Sequence, residues 1–502
     1  MVNSKNYDII IETLDEVNVR IRAEKHVLFE LADYFTYNVE NFHYMKHRNK
    51  HLRDWDGKIR LFNTFDRKIL RGLVSRVVEF AQRAGYSVKD ESFEEPEEIN
   101  EEWFRIMKKT LPFEIRDYQE LSFREMIKRQ RSLLVSPTAS GKSLMIYLMM
   151  RWCLDNVGGR FLIVVPNVAL VHQMEGDFLE YSKNSNWKAS EHIQSIYSGQ
   201  TKNFEKDVVI TTWQSIYKLP KTHFKDVLSV VGDEAHLYKA KSLETIMKRL
   251  NHAKYRCGTT GTLDDLKIHR LVLEGIFGKS FKVTNTKDLM NKDFLSQLDI
   301  KLLRLKYPPE EAKKVSHLDY HKEVDHVISH TTRNEFITKL ARTLNGNTLI
   351  LFNYVDKHGR VLYDLLKKTT SKPVYFIHGG VDAKIRDDIR SLIEIKSDAI
   401  ILASYGTFST GINVKRIDNM ILAGSIKSKI RTLQSIGRGL RLSKHKSKCN
   451  LYDICDDFIV NGKGNYLFNH SLERLQYYYN EGFKVITKSY KLQNGLISPI
   501  RT

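Results

Sequence analysis

Short, wholly apolar runs of β-forming residues, spaced by longer stretches with helical periodicity, constrain this chain more than any other feature. SLLVS (132–136), FLIVV (161–165), VVITT (208–212) and VLSVV (227–231) come first. A strand that is apolar throughout must be covered on both faces, and strands separated by helices pair in parallel, so the pattern requires a parallel sheet between helical layers. It restarts with TLILF (348–352), PVYFIHG (373–379), AIILAS (399–404), NMILAG (419–424) and NLYDI (450–454). The expected fold is α/β, with two tandem parallel-sheet domains at residues 113–280 and 331–455. The irregular, mixed-charge stretch 281–330 reads as a linker or insertion. Residues 456–502, with SLERLQYYYNEGF, read as a C-terminal helical extension ending in a short extended tail.

The first ninety residues read as a separate small α/β unit. VNVRIR (17–22) alternates like a half-buried strand, HVLFELADYF (26–35) is spaced as a helix, and GLVSRVVEFAQRAG (72–85) is a second helix with Gly85 placed to cap it. In WDGKIRLF (55–62) the Asp56-Gly57 pair is a hairpin-turn signal, and the strand after it sorts Lys58 and Arg60 to one face, Ile59 and Leu61 to the other. Residues 41–89 hold twelve Lys/Arg against four Asp/Glu, whereas residues 90–102 hold eight acids and no base. The acidic piece, 91–112, therefore reads as a linker.

A formal charge of +20 over 502 residues favours association with polyanions. Membrane is the weaker candidate, because no apolar run approaches the roughly 18 residues of a spanning helix. The opening MVNSKNYDIIIETLDE has acidic residues where a signal peptide needs its apolar core, so the cytoplasm is the expected location. Cys153, Cys257, Cys449 and Cys455 are scattered without ligand spacing, which suggests neither a disulfide framework nor a zinc site.

Chemistry concentrates in three places. SLLVSPTASGKSLMIYLMM (132–150) runs strand, loop, helix and contains Ser136-xxxx-Gly141-Lys142-Ser143. The backbone amides of such a loop, here Thr138, Ala139, Ser140 and Gly141, can wrap a triphosphate at a helix N-terminus. Lys142 can reach the β/γ-phosphates, and the Ser143 hydroxyl can ligate Mg²⁺. VLSVVGDEAH (227–236) ends an apolar strand with Asp233, assigned to the metal, and Glu234, assigned as general base for the attacking water. QSIGRGLR (434–441) offers Gln434 with Arg438 and Arg441 three residues apart on one helical face, suited to charge developing on a γ-phosphate.

With those residues in hand, the chain resembles superfamily 2 DExH helicases. The ordered motifs are IRDYQ (115–119), SPTASGKS (136–143), VVPNVALVHQ (164–173), ITTWQSI (210–216), GDEAH (232–236), TTGT (259–262), ILFNY (350–354), ASYGTFSTGIN (403–413) and QSIGRGLR. The resemblance implies two RecA-like domains with Mg²⁺ and ATP between them and nucleic acid across both. It implies that Gln119 reads the adenine edge with Phe113 and Arg116 beside it, and that Thr260 and Thr262 couple hydrolysis to strand movement. It also places phosphate grips at Pro166, Asn167, Thr211, Thr212, Trp213, Gly379, Gly380 and Thr410. Ser136 and Ala139 stand where glycine is frequent in the family, and TGT replaces SAT.

The whole chain further resembles the branched-DNA helicases of T-even bacteriophages. That resemblance implies a monomeric 3′ to 5′ enzyme in the infected bacterial cytoplasm, acting on branched and single-stranded DNA and RNA–DNA hybrids beside other phage recombination proteins. An RNA-remodelling ATPase and a duplex translocase remain open as alternatives, because the same motor serves each. The basic stretch MKHRNKHLRDWDGKIRLF (45–62) is ordinarily a solvated face. In a motor that must choose a branch, Lys58 and Arg60 become candidate DNA contacts, and Trp55 either stacks on a base or packs onto its own domain.

Overall fold

The computed structural model describes residues 7–39, 42, 54–238, 241–263, 266–411, 414, 416–424, 426–440, 448–493 and 495–500. The chain divides into two compact units, Met1–Ser136 with Gly141–Val283, and Thr284–Thr502 with Pro137–Ser140.

The first unit begins with a five-stranded sheet in the order Phe62–Asn63, Lys68–Leu70, Asn18–Ala23, Ile9–Thr13, Val88–Asp90, antiparallel except for the last pair. Helices Lys25–Tyr34 and Val74–Ala84 cover one face with Val27, Leu28, Leu31, Val77 and Phe80, and Gly85 closes the second helix at φ 79°. This small domain does not stand apart. Val17 and Leu70 are buried in the core of the following α/β domain, and Leu271 of that domain is buried among the residues of the N-terminal core. Charges reinforce the seam: Glu16 accepts from Arg71 at 2.7 Å and from Arg131, and Arg76 meets the buried Glu274 at 2.9 Å.

The seven-stranded sheet of the α/β domain runs Ile193–Ile196, Val208–Thr212, Arg160–Val165, Val227–Asp233, Tyr255–Thr260, Arg131–Val135, Ser280–Phe281, with every pairing parallel. Val208–Thr212 is buried throughout and Arg160–Val165 from its second residue on, as continuous apolar runs require, and the more polar Tyr255–Thr260 is buried with them. Part of the expected linker is a helix. Asn100 caps Glu101–Thr110 by accepting from the backbone N–H of Glu102 and Trp103 at 2.9 and 3.1 Å, and Phe104, Met107 and Leu111 fill the core beside Phe123 and Met126. The acids hid an amphipathic face. Even the irregular residues before it are tied down, since Arg71 donates to the Ser92 carbonyl at 3.1 Å and Tyr255 to Glu97 at 3.1 Å.

The second unit holds an eight-stranded sheet in the order Val374–Ile377, Ile400–Ser404, Thr348–Phe352, Asn419–Leu422, Lys448–Asp457, Gln297–Lys306, Val485–Gln493, Leu496–Pro499, parallel until the final hairpin. The stretch 281–330 is therefore no simple linker: Gln297–Lys306 is an interior strand of this sheet. The C-terminal segment is likewise integral. Helix Tyr466–Asn480 is anchored by Arg474 on the fully buried Asp453 at 2.7 Å and by the Tyr478 hydroxyl on the same carboxylate at 2.8 Å. The expected extended tail supplies the last two strands.

Candidate active site and nucleic-acid interface

The candidate phosphate-binding loop follows the largely buried strand Arg131–Val135 and opens helix Lys142–Asn156. Its turn needs two left-handed residues, Ala139 at φ 67° and Gly141 at φ 84°. Ala139 thus keeps the backbone course that glycine would take, at a cost of about 1–2 kcal/mol. Gly141 is also held by space, because a Cβ there would lie 2.3 Å from Gln119 Nε2. Lys142 Nζ donates to the Ser136 carbonyl at 3.3 Å, and the Ser143 hydroxyl shares a hydrogen bond of 2.9 Å with Tyr181. Gln119, 6% exposed, accepts from the Arg116 backbone N–H at 3.1 Å, so its amide is fixed against the loop. Arg116 donates to the Tyr118 hydroxyl at 3.1 Å, and the half-exposed Phe113 meets Tyr181 edge-on at 5.4 Å.

Asp233 ends the neighbouring strand and is buried. Burial first, then the charge of Glu234, pushes its carboxyl above the ordinary carboxylate range, against the pull of Lys142 and of the Thr259 hydroxyl, which donates to it at 2.7 Å. Glu234 leaves the strand in the left-handed region, φ 49°, and remains partly exposed. His236 Nδ1 lies 3.4 Å from Glu234 and 3.0 Å from the Thr260 hydroxyl, and that hydroxyl donates to the Thr262 carbonyl at 3.1 Å. A chain of contacts thus joins the general-base candidate to the TTGT segment. Gly232 allows the strand to pass: a Cβ there would meet Phe277 at 2.7 Å and Tyr238 at 2.8 Å.

In the second unit, Gln434 and Arg438 are half-buried on helix Lys429–Gly439, four residues apart and so on one face. Arg441 lies outside the described residues.

The expected phosphate grips divide. Asn167 caps helix Val168–Tyr181, accepting from Leu170 N–H at 3.1 Å, and Pro166 precedes it, both partly exposed. Thr211 and Thr212 require a correction, because both side chains are buried. Thr211 donates to the Thr212 carbonyl at 3.2 Å and Thr212 shares a hydrogen bond with Ser215 at 3.0 Å, so both hydroxyls are taken up within the fold. Trp213 packs partly buried against the core beside Tyr217. Gly379 and Gly380 are exposed after strand Val374–Ile377, and Gly380 N–H donates to His378 at 3.2 Å. Thr410 belongs to helix Tyr405–Gly411, and its side chain lies outside the described residues.

In the N-terminal domain, strand Lys58–Arg60 pairs antiparallel with Thr36–Asn38. Asp56-Gly57 is therefore not a two-residue hairpin loop: it ends the long connection between those strands, with Gly57 at φ 75° under the Phe42 ring. Lys58 is exposed, whereas Arg60 is held on Asp56 at 2.5 Å. Trp55 packs on its own domain, donating to the Lys58 carbonyl at 3.0 Å and meeting Phe42 edge-on at 5.2 Å. Residues 45–53 of the basic stretch lie outside the described residues.

Three family models match the chain: DNA helicase UvsW, N-terminal, over residues 8–90; type III restriction enzyme, res subunit, over 112–265; and helicase conserved C-terminal domain over 332–443. The ATP-dependent DNA helicase uvsW of Enterobacteria phage T4 is 34% identical over 512 residues, which cover 97% of this chain and 100% of that protein. The chain belongs to the UvsW family of ATP-dependent DNA helicases.

The crystal structure of T4 UvsW aligns over 97% of this chain and 100% of its own with a TM-score of 0.50 and 33% identity. Dbp5 of S. cerevisiae, at 16% identity and a TM-score of 0.52 over 75% of this chain and 90% of its own, shares the fold. As a UvsW-family member the chain is an ATP-dependent DNA helicase with tandem RecA-like domains. Among its described residues no helix is long and apolar enough to cross a membrane. Sequence reasoning missed Tyr181 as the partner of Ser143. The two are 38 positions apart, and no motif links them; the signal available was only an aromatic on the inner face of the helix that Asn167 begins.

Proposed function

We propose that this UvsW-family helicase couples Mg²⁺-dependent ATP hydrolysis to the remodelling of branched DNA in the infected bacterial cell, migrating four-way junctions, regressing forks and unwinding RNA–DNA hybrids in recombination, replication and repair. The observation that carries the branched-DNA reading is the common core of the N-terminal domain and the first RecA-like domain. A motor that grips phosphates is blind to sequence and shape. Choosing a branch needs a second contact fixed to that motor, and the basic N-terminal domain is fixed to half of it.

The donor set suits Mg²⁺, which keeps several waters and takes one or two protein oxygens beside substrate phosphates. Asp233 offers a buried carboxylate whose charge a cation would relieve, and Ser143 offers a hydroxyl. Among the described residues there is no cluster of three or more His, Cys, Asp or Glu side chains suited to a metal caged by protein alone. When bound, the ion supplies neutralisation of phosphate charge. Lys142 and the amides of Thr138–Gly141 hold the phosphates, Glu234 orients and deprotonates water, and Gln119, Arg116 and Phe113 hold the base. Gln434, Arg438 and Arg441 meet charge on the γ-phosphate. Lys58, the partly exposed Pro166–Asn167 turn, the backbone of Thr211–Trp213, and Gly379, Gly380 and Thr410 follow the strand.

ATPase turnover measured side by side with a four-way junction, single-stranded DNA, linear duplex and RNA tests the reading. The junction should stimulate most. Stimulation by RNA alone would overturn the substrate class, and equal stimulation by linear duplex and junction would make the protein a duplex translocase.

A further inference from the structure

Phe65 is 94% exposed, the highest value for any large apolar side chain among the described residues. Isolated apolar side chains on a surface are ordinary. The surroundings of this one are not. It stands on the turn between strands Phe62–Asn63 and Lys68–Leu70, and that turn is fastened: Asn63 Oδ1 accepts from the backbone N–H of Phe65 at 2.9 Å and of Asp66 at 3.2 Å, Arg67 closes it at φ 54°, and the Arg67 carbonyl accepts from Ile21 N–H at 2.9 Å.

Directly behind the turn, Asn63, Lys68 and Arg20 are successive cross-strand partners and so share one face of the sheet, opposite the buried Phe62, Ile69 and Val19. Lys68 and Arg20 are like charges placed side by side, an arrangement that weakens a sheet unless an anion answers it. Among the described residues neither meets a carboxylate, since Glu12, the next residue in that row, is taken by Arg22. Beside the exposed Arg20 and the partly exposed Lys68, Arg67 adds a third cation, exposed at the tip, against the single acid Asp66. Paired cations beside a fully exposed ring match nucleic acid with its bases open, where phosphates meet the charges and a base meets the ring.

We propose that Phe65 is a stacking pin. Arg20 and Lys68 hold the phosphates of one DNA strand, and the ring closes on the first unpaired base at a branch point. This rests on the branched-DNA reading above and names the residue that would recognise the branch.

The full-length protein should be compared with Phe65→Ala, Phe65→Leu and Phe65→Trp. Two measurements are needed: the ratio of affinities for a four-way junction and a linear duplex at one salt concentration, and the fluorescence of 2-aminopurine placed at the branch. The melting temperature should not move, because the side chain is exposed, and Leu controls for lost apolar surface. Expected is a roughly tenfold loss of junction preference in Phe65→Ala and Phe65→Leu, with retention in Phe65→Trp. Quenching of the branch-point base should follow the same order. A wild-type protein that prefers junctions while Phe65→Ala and Phe65→Leu match it in preference and quenching would overturn the pin alone. A wild-type protein without junction preference would overturn the branched-DNA reading, and the pin with it.

Discussion

Asp233 is a carboxylate whose ionisation is opposed by burial and by Glu234 beside it. Asp233→Asn should therefore raise the melting temperature of the nucleotide-free protein while abolishing ATPase activity. A carboxyl raised above its unfolded pKa weakens the fold as pH climbs from the unfolded value to the folded one. The melting advantage of the variant should accordingly be full above that window and vanish below the ordinary carboxylate range, as calorimetry across pH would show. Lys142→Ala and Glu234→Gln should each reduce ATP turnover to background while DNA affinity, read by fluorescence anisotropy, is retained, because the proposed phosphate loop and the proposed strand path use different residues. At Arg60 the neighbour matters as much as the cation. Its hydrogen bond to Asp56 lowers that carboxyl to about 2, so both groups stay charged at any working pH and the acid keeps competing for the cation. Asp56→Asn should free Arg60, tighten DNA binding, and steepen the dependence of log affinity on log salt by about one.

At the scale of elements, the seam under the N-terminal domain depends on close approach. A Cβ on Gly72 would fall 2.1 Å from the Glu274 carbonyl oxygen, which is backbone and cannot swing aside. Gly72→Ala should lower stability by about 1–3 kcal/mol, read as a lower melting temperature. The placement of 136–143 and 232–236 at strand-to-loop junctions was legible in the sequence, because each comes at the end of a short apolar run that has to be a strand. The elements that were missed lack that signal. Gln297–Lys306 interleaves Asp299, Lys301, Arg304 and Lys306 with leucines, so it reads as mixed charge although its partners on both sides place it inside a sheet. Helix Glu101–Thr110 was masked by the acids around it. The burial of Thr211 and Thr212 is a tertiary outcome that a hydroxyl in a motif does not announce.

Across the whole molecule, the parallel sheets were read from strand composition, while the union of the first two domains was not, because Val17, Leu70 and Leu271 look like ordinary core residues of their own segments. That union predicts that a fragment ending at Val283 melts in a single cooperative transition by circular dichroism. Two separate transitions would show that the seam does not couple the domains. The same seam bears on how such chains can be recombined. A chimaera that takes its first ninety residues from one relative and its motor from another would leave Val17 and Leu70 without their sockets and Leu271 without its own, and would break the Glu16–Arg131 and Arg76–Glu274 pairs. If the proposed branch preference resides in the N-terminal domain, the unit to transplant is that domain together with its half of the motor, so a graft should be cut near residue 283 rather than near residue 90.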